Sequence, residues 1–448
     1  MKYEYRKYAI EILYKVNNQK GYSNILVNEY MEKLRNKQER NLLNITVSGV
    51  LENKIYLDWM INELSNTKFS KISKDILEIL RIGIYQIEFL DNINPKTIVY
   101  ESVEEAKKHK NKYLSKFVNG ILRSYIRKST ELKKSIENFN KNNYLSIIYS
   151  FPIDFIERLK KEFNSNDIEN ILISMNSRPA FTARINTTLI SRDELIEKLN
   201  EQNINSKKTE IAANGINILD SDMSSIKEVY KEGLLSIQGE SSMIAVEVLN
   251  IKNNSYILDL CSAPGGKGLY ATELMNNTGK VDCRDIYINK INTVKEQIER
   301  LKLKNVNTKV EDATIFKNEY IEKYDYCIVD VPCTNSGIIR RKPEIKYKSD
   351  FNQIETLKEK QLKILENAGK YLKVKGEMVY STCSIFKEEN IEIIKNFLTQ
   401  NSNFELVPLD KRYMQIDKNY KKGYLNIYTH VNNLDGFFIA KIRKIKIW

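Results

Sequence analysis

The stretch Tyr256-Ile-Leu-Asp-Leu-Cys-Ser-Ala-Pro-Gly-Gly-Lys267 decides the fold of this 448-residue chain. A short apolar run at 256–260 is followed by a loop with one proline and two glycines, and then by an amphipathic segment from about 268 to 275. This order predicts a strand, a tight turn and a helix, whose first N–H groups are unpaired and can meet a ligand. In an open α/β sheet, such a loop lies at the carboxyl end of a strand, where ligands bind. An ordinary strand-to-helix turn uses the same residue types, so the loop alone leaves both interpretations open.

The chain beyond this loop alternates between strand and helix patterns. Alternation of this kind predicts a mostly parallel sheet covered on both faces, so we expect a C-terminal α/β Rossmann-like domain over 236–448. The loop lacks the Gly-x-Gly-x-x-Gly spacing of dinucleotide sites and the glycine-lysine pattern of phosphate loops, which favours a ligand without phosphates. The predicted strands are 256–260, 280–286, 306–310, 326–330, 376–382 and 437–442, and the predicted helices include 288–303 and 353–372.

The first part of the chain predicts an all-α domain over residues 1–140. Ala9, Leu13 and Val16 recur at helical spacing, and so do Ile76 and Leu80. This segment holds 25 lysines and arginines against 17 acidic residues, in a chain whose formal net charge is +13. A basic domain favours an anionic partner, with nucleic acid first, although a purely structural helical bundle is the alternative. The intervening 141–235 predict a small α+β module.

Two cysteines follow the predicted fourth and fifth strands, in Asp330-Val-Pro-Cys-Thr-Asn-Ser-Gly337 and Tyr380-Ser-Thr-Cys-Ser384. If those strands are neighbours, their backbones lie about 4.8 Å apart, and Cys333 and Cys383 face one pocket. Two small buried residues or a disulfide are the alternatives. An acidic residue that ends the second strand, Asp285, can accept hydrogen bonds from ribose hydroxyls.

Composition excludes several classes of site. The five cysteines form no Cys-x-x-Cys pair and the two histidines lie in no motif-like setting, which argues against a zinc site and a His-based triad. No stretch approaches the roughly 18–20 apolar residues of a membrane span. We therefore expect a cytoplasmic protein with reduced thiols, no metal and no membrane partner.

The motifs together resemble the RNA cytosine-5 methyltransferases. The first domain resembles the NusB-like RNA-binding domain through Leu80-Arg-Ile-Gly-Ile-Tyr-Gln86 and Phe117-Val-Asn-Gly-Ile-Leu-Arg123. A NusB-like domain followed by this catalytic domain is similar to the bacterial 16S ribosomal RNA branch, the RsmB/Sun family, over nearly the whole chain. The sequence departs from that family's pattern at Gly239, where Asp is usual, at Gly268, where Thr is usual, and at Lys387, where Pro is typical.

The resemblance implies methyl transfer from S-adenosyl-L-methionine to carbon 5 of a specific cytosine in 16S ribosomal RNA, through a covalent adduct at carbon 6. By the family's roles, Cys383 is the nucleophile and Cys333 assists product release. Asp330 hydrogen-bonds the base edge and lies near the cofactor methyl group. The cofactor site implied in this way consists of Cys261, Ser262, Ala263, Pro264, Gly265, Gly266, Lys267, Asp285, Asp312 and Asp330.

Some further expectations concern the surroundings of the two cysteines. A helix beginning near Glu388, together with Lys387, is a candidate for lowering the pKa of the nucleophilic thiol, while Glu388 and Glu389 would complement the helix dipole. The basic loop 337–346 would grip RNA phosphates at the mouth of the pocket. We expect a monomer and a flipped target base. The alternatives are a transfer RNA cytosine-5 methyltransferase and a non-catalytic RNA-binding ribosome assembly factor.

Overall fold

The computed structural model describes residues 4–19, 21–109, 111–219, 223–348 and 353–446. Within these ranges the chain forms two compact units, and the first is discontinuous in sequence. It comprises residues up to 177 together with 339–348, while the second comprises 178–338 and the chain from 353 onward. No helix in the described ranges is both long enough and apolar enough to cross a membrane.

The first unit is all-helical, as the sequence predicts. Along α5 the positions Ile76, Leu80 and Ile84 are completely buried, which is the period expected of a helix that packs one face into a core. A Cβ at Gly83 would lie 2.9 Å from both terminal methyl groups of Leu122, so glycine permits the close approach of α5 and α7. The helices are α1 (Glu4–Asn18), α2 (Ser23–Lys33), α3 (Lys37–Glu52), α4 (Lys54–Leu64), α5 (Lys74–Phe89), α6 (Pro95–Lys107), α7 (Lys112–Ile136), α8 (Lys141–Tyr149), α9 (Ile153–Glu162), α10 (Ile168–Met175) and, in chain order, α16 (Ile345–Lys348).

Residues 339–348, the strap, belong to this helical unit although they lie between the two cysteines in sequence. The ammonium of Lys346 donates to the carbonyl oxygen of Glu52 at 2.9 Å and to Oδ1 of Asn176 at 2.6 Å, and it lies 4.0 Å from the centre of the Phe151 ring. Lys346 is 1% exposed, and this burial lowers its pKa to about 7. The prediction that the basic loop grips RNA phosphates is therefore wrong for Lys346, because protein oxygens already surround its ammonium group.

Two other strap residues are also fixed within the helical unit. The carboxylate of Glu344 accepts hydrogen bonds from the backbone N and the hydroxyl of Ser23, at 3.0 and 2.8 Å. The hydroxyl of Tyr347 donates to the carbonyl oxygen of Ser150 at 3.1 Å. The strap is thus an integral part of the helical core.

The second unit contains a small α+β module, as expected, beside a larger α/β domain. The module's sheet is antiparallel throughout, with strand order β2-β3-β1-β4. A capping box between Ser191 and Glu194 begins α11. Its strands are β1 (Phe181–Ile185), β2 (Ser206–Lys208), β3 (Gly215–Ile218) and β4 (Leu235–Ile237), and its helices are α11 (Arg192–Glu201) and α12 (Lys227–Lys231).

The larger sheet has the strand order β10-β12-β9-β8-β5-β6-β7, with β11 paired to β12. Strands β9, β8, β5, β6 and β7 are mutually parallel, and the remaining pairings are antiparallel. The predicted mostly parallel Rossmann-like sheet is confirmed. Its strands are β5 (Tyr256–Asp259), β6 (Lys280–Asp285), β7 (Val306–Val310), β8 (Tyr324–Asp330), β9 (Leu372–Thr382), β10 (Phe404–Leu406), β11 (Tyr424–Ile427) and β12 (Phe437–Lys444).

The strand order reverses between β5 and β8, because β5 is followed in sequence by β6 on one side while β8 lies on the other. Such a switch point opens a crevice at the carboxyl ends of the strands. The loop after β5 and the cysteine segment after β8 both begin at this point. The helices of this domain are α13 (Glu240–Glu247), α14 (Gly266–Leu274), α15 (Ile288–Arg300), α17 (Ile354–Tyr371), α18 (Ile391–Gln400) and α19 (Thr429–Asn432).

Candidate active site

The loop between β5 and α14 makes a tight turn whose shape depends on Gly265. The backbone N of Gly265 donates to the carbonyl oxygen of Ser262 at 2.6 Å, and the Ala263-Pro264 peptide is cis. Gly265 has φ +103°, which a residue with a side chain rarely adopts, and a Cβ there would lie 2.9 Å from a methyl group of Leu269. The backbone therefore turns directly into α14 and leaves the helix N-terminus open at the crevice.

Helix α14 is not amphipathic, contrary to the prediction, because all its residues from Lys267 to Glu273 are buried. A Cβ at Gly268 would lie 2.7 Å from the sulfur of Cys283 and 2.9 Å from Oδ2 of Asp259. Glycine at this departure from the family pattern is therefore what the neighbouring side chains require. Asp259 is completely buried; none of the described side chains donates to its carboxylate, and the backbone N–H groups of Cys261 and Gly268 face it. Burial, and then the charge of Asp330, raise the pKa of Asp259 to about 7.

Asp330 joins the carboxyl ends of three strands. Its Oδ2 lies 2.7 Å from the ammonium of Lys267, in the loop after β5. Its Oδ1 accepts a hydrogen bond from the hydroxyl of Ser381, on β9, at 2.6 Å. The ammonium of Lys267 also lies 5.2 Å from the centre of the Phe437 ring. Both oxygens of Asp330 are thus held in place, while 30% of its side chain stays accessible.

The two predicted cysteines lie together, because β8 and β9 are neighbours as expected. Their sulfur atoms are 3.3 Å apart, and both residues are free thiols that are partly accessible. Asn335 connects them, since its amide donates to the carbonyl oxygen of Cys333 at 3.0 Å and its Oδ1 accepts from the Cys383 thiol at 3.0 Å. The hydrogen bond with Cys383, and then burial, raise the pKa of Cys333 well above its usual value. Cys333 therefore stays a protonated thiol that can donate to the Cys383 sulfur.

A buried carboxylate, Glu389, ties together the segments that follow the two cysteines. It accepts hydrogen bonds from the backbone N and the hydroxyl of Thr334, at 2.9 and 2.6 Å, from the amide of Gln361 at 3.1 Å and from the hydroxyl of Ser384. Glu389 is 0% exposed and lies in a 3₁₀ turn, and α18 begins only at Ile391. The predicted helix-dipole role of Glu389 is therefore wrong, because its carboxylate points into the interior.

The remaining predicted acids lie at the same edge of the sheet. Asp285 ends β6 and is buried, and its Oδ1 accepts from the backbone N of Tyr287 at 3.2 Å and lies 3.7 Å from the ammonium of Lys290. Asp312 follows β7, and its Oδ1 accepts from the backbone N and the hydroxyl of Thr314, at 2.8 and 2.7 Å. Each carboxylate helps to shape its own loop, and their contacts with a ligand remain predictions.

Sequence reasoning missed four residues that shape this site. Asn335 and Ser381 stand inside the quoted motifs without an assigned role, and Asp259 and Glu389 received none in the site. Only Ser381 had a clear signal, because residues two apart on a strand share a face and Cys383 follows it by two. Among the described residues, no group of three His, Cys, Asp or Glu side chains is arranged to hold a metal ion.

Comparisons with known proteins identify the family to which the chain belongs. The family model "16S rRNA methyltransferase RsmB/F" matches residues 246–443, the NusB family model matches 4–127, and the RsmF/B-like ferredoxin-like domain matches 151–224. A protein of Bacillus subtilis (strain 168) named "Probable ribosomal RNA small subunit methyltransferase B" is 33% identical, over 98% of both chains. A protein of the same name from Synechocystis sp. is 29% identical, over 98% of this chain and 99% of its own.

Solved structures give the same assignment of fold. The crystal structure of PH0851 superposes with a TM-score of 0.84 at 25% identity, covering 99% of both chains. A methyltransferase homolog protein from Pyrococcus horikoshii superposes with a TM-score of 0.58 at 28% identity, covering 67% of this chain and 97% of its own. On the sequence identity, the three family models and the fold, the chain belongs to the RsmB/F family of 16S rRNA methyltransferases.

Proposed function

We propose that this chain transfers the methyl group of S-adenosyl-L-methionine to carbon 5 of a specific cytosine in 16S ribosomal RNA, through a covalent bond between Cys383 and carbon 6. The observation that carries the proposal is the pair of sulfur atoms 3.3 Å apart, in two cysteines that are free thiols and partly exposed as residues. Carbon 5 of cytosine is too weak a nucleophile to attack a methyl group unaided. A thiolate that adds to carbon 6 makes carbon 5 nucleophilic, which is the purpose of covalent catalysis here.

The crevice fits the methyl donor in two respects. Gly265 lets the backbone approach a ligand at the N-terminus of α14. Asp285 offers an acid at the end of β6, the position that suits ribose hydroxyls. We assign the donor to loop residues 261–267 with Asp285, Asp312 and Asp330. When bound, S-adenosylmethionine supplies an electrophilic methyl group on a positively charged sulfur.

The residues of the chain divide the remaining chemistry among them. The Cys383 thiol adds to carbon 6 while its proton passes through solvent to N3 of the cytosine, and the protonated Cys333 donates a hydrogen bond to the Cys383 sulfur beforehand. Asp330, held by Lys267 and Ser381, accepts hydrogen bonds from N3–H and the exocyclic amine of the adduct. After the methyl transfer, Cys333 loses its own proton to solvent and, as a thiolate, removes the carbon 5 proton, for which a raised pKa suits it as a base. The electrons of that C–H bond restore the ring double bond as the bond to Cys383 breaks.

RNA recognition is assigned to the parts outside the catalytic domain. The basic helical segment supplies charge for phosphate contacts. We propose a division into a NusB-like domain over 1–140, a middle module over 141–235 and a methyltransferase domain over 236–448, although α8–α10 of the second range pack within the helical unit. Arg340, Arg341 and Lys342 precede the buried part of the strap and are half-exposed, so the proposed grip on phosphates is limited to these three residues. We propose a monomeric, cytoplasmic enzyme.

The test is methyl transfer from a tritiated donor to 16S ribosomal RNA taken from cells that lack this protein, with bisulfite mapping of the product. The C383A protein should lose all transfer, whereas C333A should accumulate a covalent RNA–protein adduct on a denaturing gel. C327A is the matched control, because Cys327 is a buried residue on β8 away from the pocket and should retain the wild-type rate.

Three results would contradict the proposal. A wild-type rate in C383A would reject the covalent mechanism. Methylation of transfer RNA in place of ribosomal RNA would reject the substrate. RNA binding by the wild-type protein without any methyl transfer would favour the non-catalytic assembly factor.

A further inference from the structure

A buried arginine of the middle module, Arg184 on β1, contacts the helix that begins in the proposed donor loop. Its side chain is 1% exposed. Nε and Nη2 donate to the two carboxylate oxygens of Glu273, at 2.8 and 2.7 Å. Nη1 donates to the carbonyl oxygen of Gly266 at 2.6 Å and to the side chain of Gln238. Burial of a guanidinium group costs free energy unless hydrogen bonds satisfy it. The four hydrogen bonds to Glu273, Gly266 and Gln238 therefore fix the position of the Arg184 side chain.

The acceptors on α14 lie on one face of the helix. Gly266, Tyr270 and Glu273 are spaced by four and three residues, which aligns them on an α-helix. The Arg184 guanidinium lies 4.9 Å from the centre of the Tyr270 ring, so it contacts all three. Gly266 is both the first residue of α14 and a member of the Pro-Gly-Gly loop. The guanidinium therefore connects the body of α14 to the point where the loop ends.

We propose that Arg184 is a positioning residue for the methyl-donor loop, so that the middle module forms part of the donor site in addition to any contact with RNA. This inference rests on the proposed function. By holding the Gly266 carbonyl against Glu273, Arg184 keeps the N-terminus of α14 and the left-handed Gly265 in the orientation that the donor requires. A loop held in this way before binding loses little conformational freedom on binding, which favours affinity.

A purely structural ion pair is the competing explanation, and a suitable pair of variants separates the two. R184M alone would leave the Glu273 carboxylate buried without its partner, which is strongly destabilising. The double variant R184M/E273L replaces the ion pair with apolar side chains of similar volume, an exchange that buried pairs often tolerate. The double variant removes the hydrogen bond to Gly266 while it keeps the packing. R184K keeps a positive charge but cannot reach all of these acceptors at once.

Arg300 provides the matched control. Its Nη1 donates to the carbonyl oxygens of Tyr230 and Leu235, at 2.6 and 2.9 Å, so it anchors α15 to the same module. Among the described residues it donates no hydrogen bond to α14, and only its charge acts on the Glu273 carboxylate there. R300M should therefore lower the melting temperature without changing affinity for the donor.

The experiment is isothermal titration of the full-length proteins with S-adenosylhomocysteine, together with hydrogen exchange of the unliganded proteins over residues 259–270. R184M/E273L and R184K should bind about tenfold more weakly than wild type, the effect of one lost hydrogen bond from a charged donor. Their loop amides should exchange faster, while circular dichroism stays unchanged and R300M binds normally. RNA affinity, measured separately, should also stay at the wild-type value.

The outcomes that overturn the inference differ from those that overturn the proposed function. If wild type fails to bind S-adenosylhomocysteine, the proposed function falls, and the inference falls with it. If wild type binds and folded R184K or R184M/E273L binds equally well, only the role of Arg184 is rejected. Should the double variant not fold, the affinity and loop exchange of R184K decide alone.

Discussion

Replacement of Glu389 distinguishes two explanations of this residue by magnitude. As a helix-dipole partner near the start of α18, Glu389 would contribute about 0.3–1 kcal/mol, and glutamine and alanine at this position would behave alike. The structure instead makes it the acceptor of four hydrogen bonds in a fully buried site. The two explanations therefore differ both in the size of the effect and in the order of the two variants.

The expected magnitude follows from the donors that lose their acceptor. E389A removes the carboxylate that accepts from the backbone N–H of Thr334 and one of the two acceptors of the Gln361 amide, the other being the carbonyl oxygen of Pro332, at about 1–3 kcal/mol for each lost buried hydrogen bond. Relaxation and water entry recover a part of this, so we expect E389A to lower the free energy of unfolding by about 3–5 kcal/mol. E389Q keeps one acceptor oxygen, and the hydroxyls of Thr334 and Ser384 can rotate to accept from its new amide. Its loss should be about 1–2 kcal/mol.

The assay combines urea unfolding followed by far-UV circular dichroism with hydrogen exchange at the Thr334 amide. That amide should exchange faster in E389A than in E389Q, because Glu389 is its acceptor. E359A is the control, since Glu359 is exposed on α17 and its loss should cost about 0.5 kcal/mol or less. Equal and small losses in E389Q and E389A, with unchanged exchange at Thr334, would refute the buried role.

Three further predictions concern other groups of the protein. Oxidation with diamide should form a disulfide between Cys333 and Cys383, because their sulfur atoms need to approach only from 3.3 Å to about 2.0 Å. Mass spectrometry should detect the loss of two hydrogens, which dithiothreitol should reverse, and an unchanged mass would contradict the geometry. The free energy of unfolding of D259N minus that of wild type should rise by about 2–3 kcal/mol from pH 5 to pH 8. The reason is that the pKa of Asp259 is raised to about 7 in the folded protein, so wild type loses stability over this range as the unfolded chain ionises more readily. A stability difference that does not change with pH would exclude this explanation. In the same urea titration, K346M should lower the free energy of unfolding by about 2–4 kcal/mol, because buried oxygens lose their donor. K348M, at an exposed position, should lower it by less than about 1 kcal/mol. Equal effects would show that Lys346 is not held as described.

The positions of residues that depend on local sequence patterns could be predicted from the sequence. The environments of residues whose hydrogen-bond partners lie far away in the chain could not. Strand and helix periodicity located the parallel sheet, and the positions of Cys333 and Cys383 after neighbouring strands brought their sulfurs together. Glu389 stands near the start of a helix in sequence, so its local context suggests a helix terminus. Its true environment depends on Thr334, which is 55 residues away in the chain.

The prediction that Lys346 contacts RNA phosphates was wrong for the same physical reason. A run of basic residues between two reactive cysteines reads as a surface for phosphates, because lysine is seldom fully buried. The carbonyl of Glu52 and the side chain of Asn176 lie 294 and 170 residues away and make its burial possible. No local signal in the sequence connects Arg184 with Gly266, which is 82 residues away in the chain. Long-range acceptors are what a single sequence does not reveal.

The strap has a consequence for the order in which the protein is made. Ribosomes deliver the chain from its N-terminus, and domains generally fold as they emerge. The helical unit is completed only by residues 339–348, well over a hundred residues after its last N-terminal helix. During synthesis the helical unit therefore lacks its contacts with Glu344, Lys346 and Tyr347 until these residues have been added to the chain. A single cleavage of the chain therefore cannot separate the two units. A fragment that ends at 177 lacks the strap, and a fragment that begins at 178 contains the strap without the helices against which it packs.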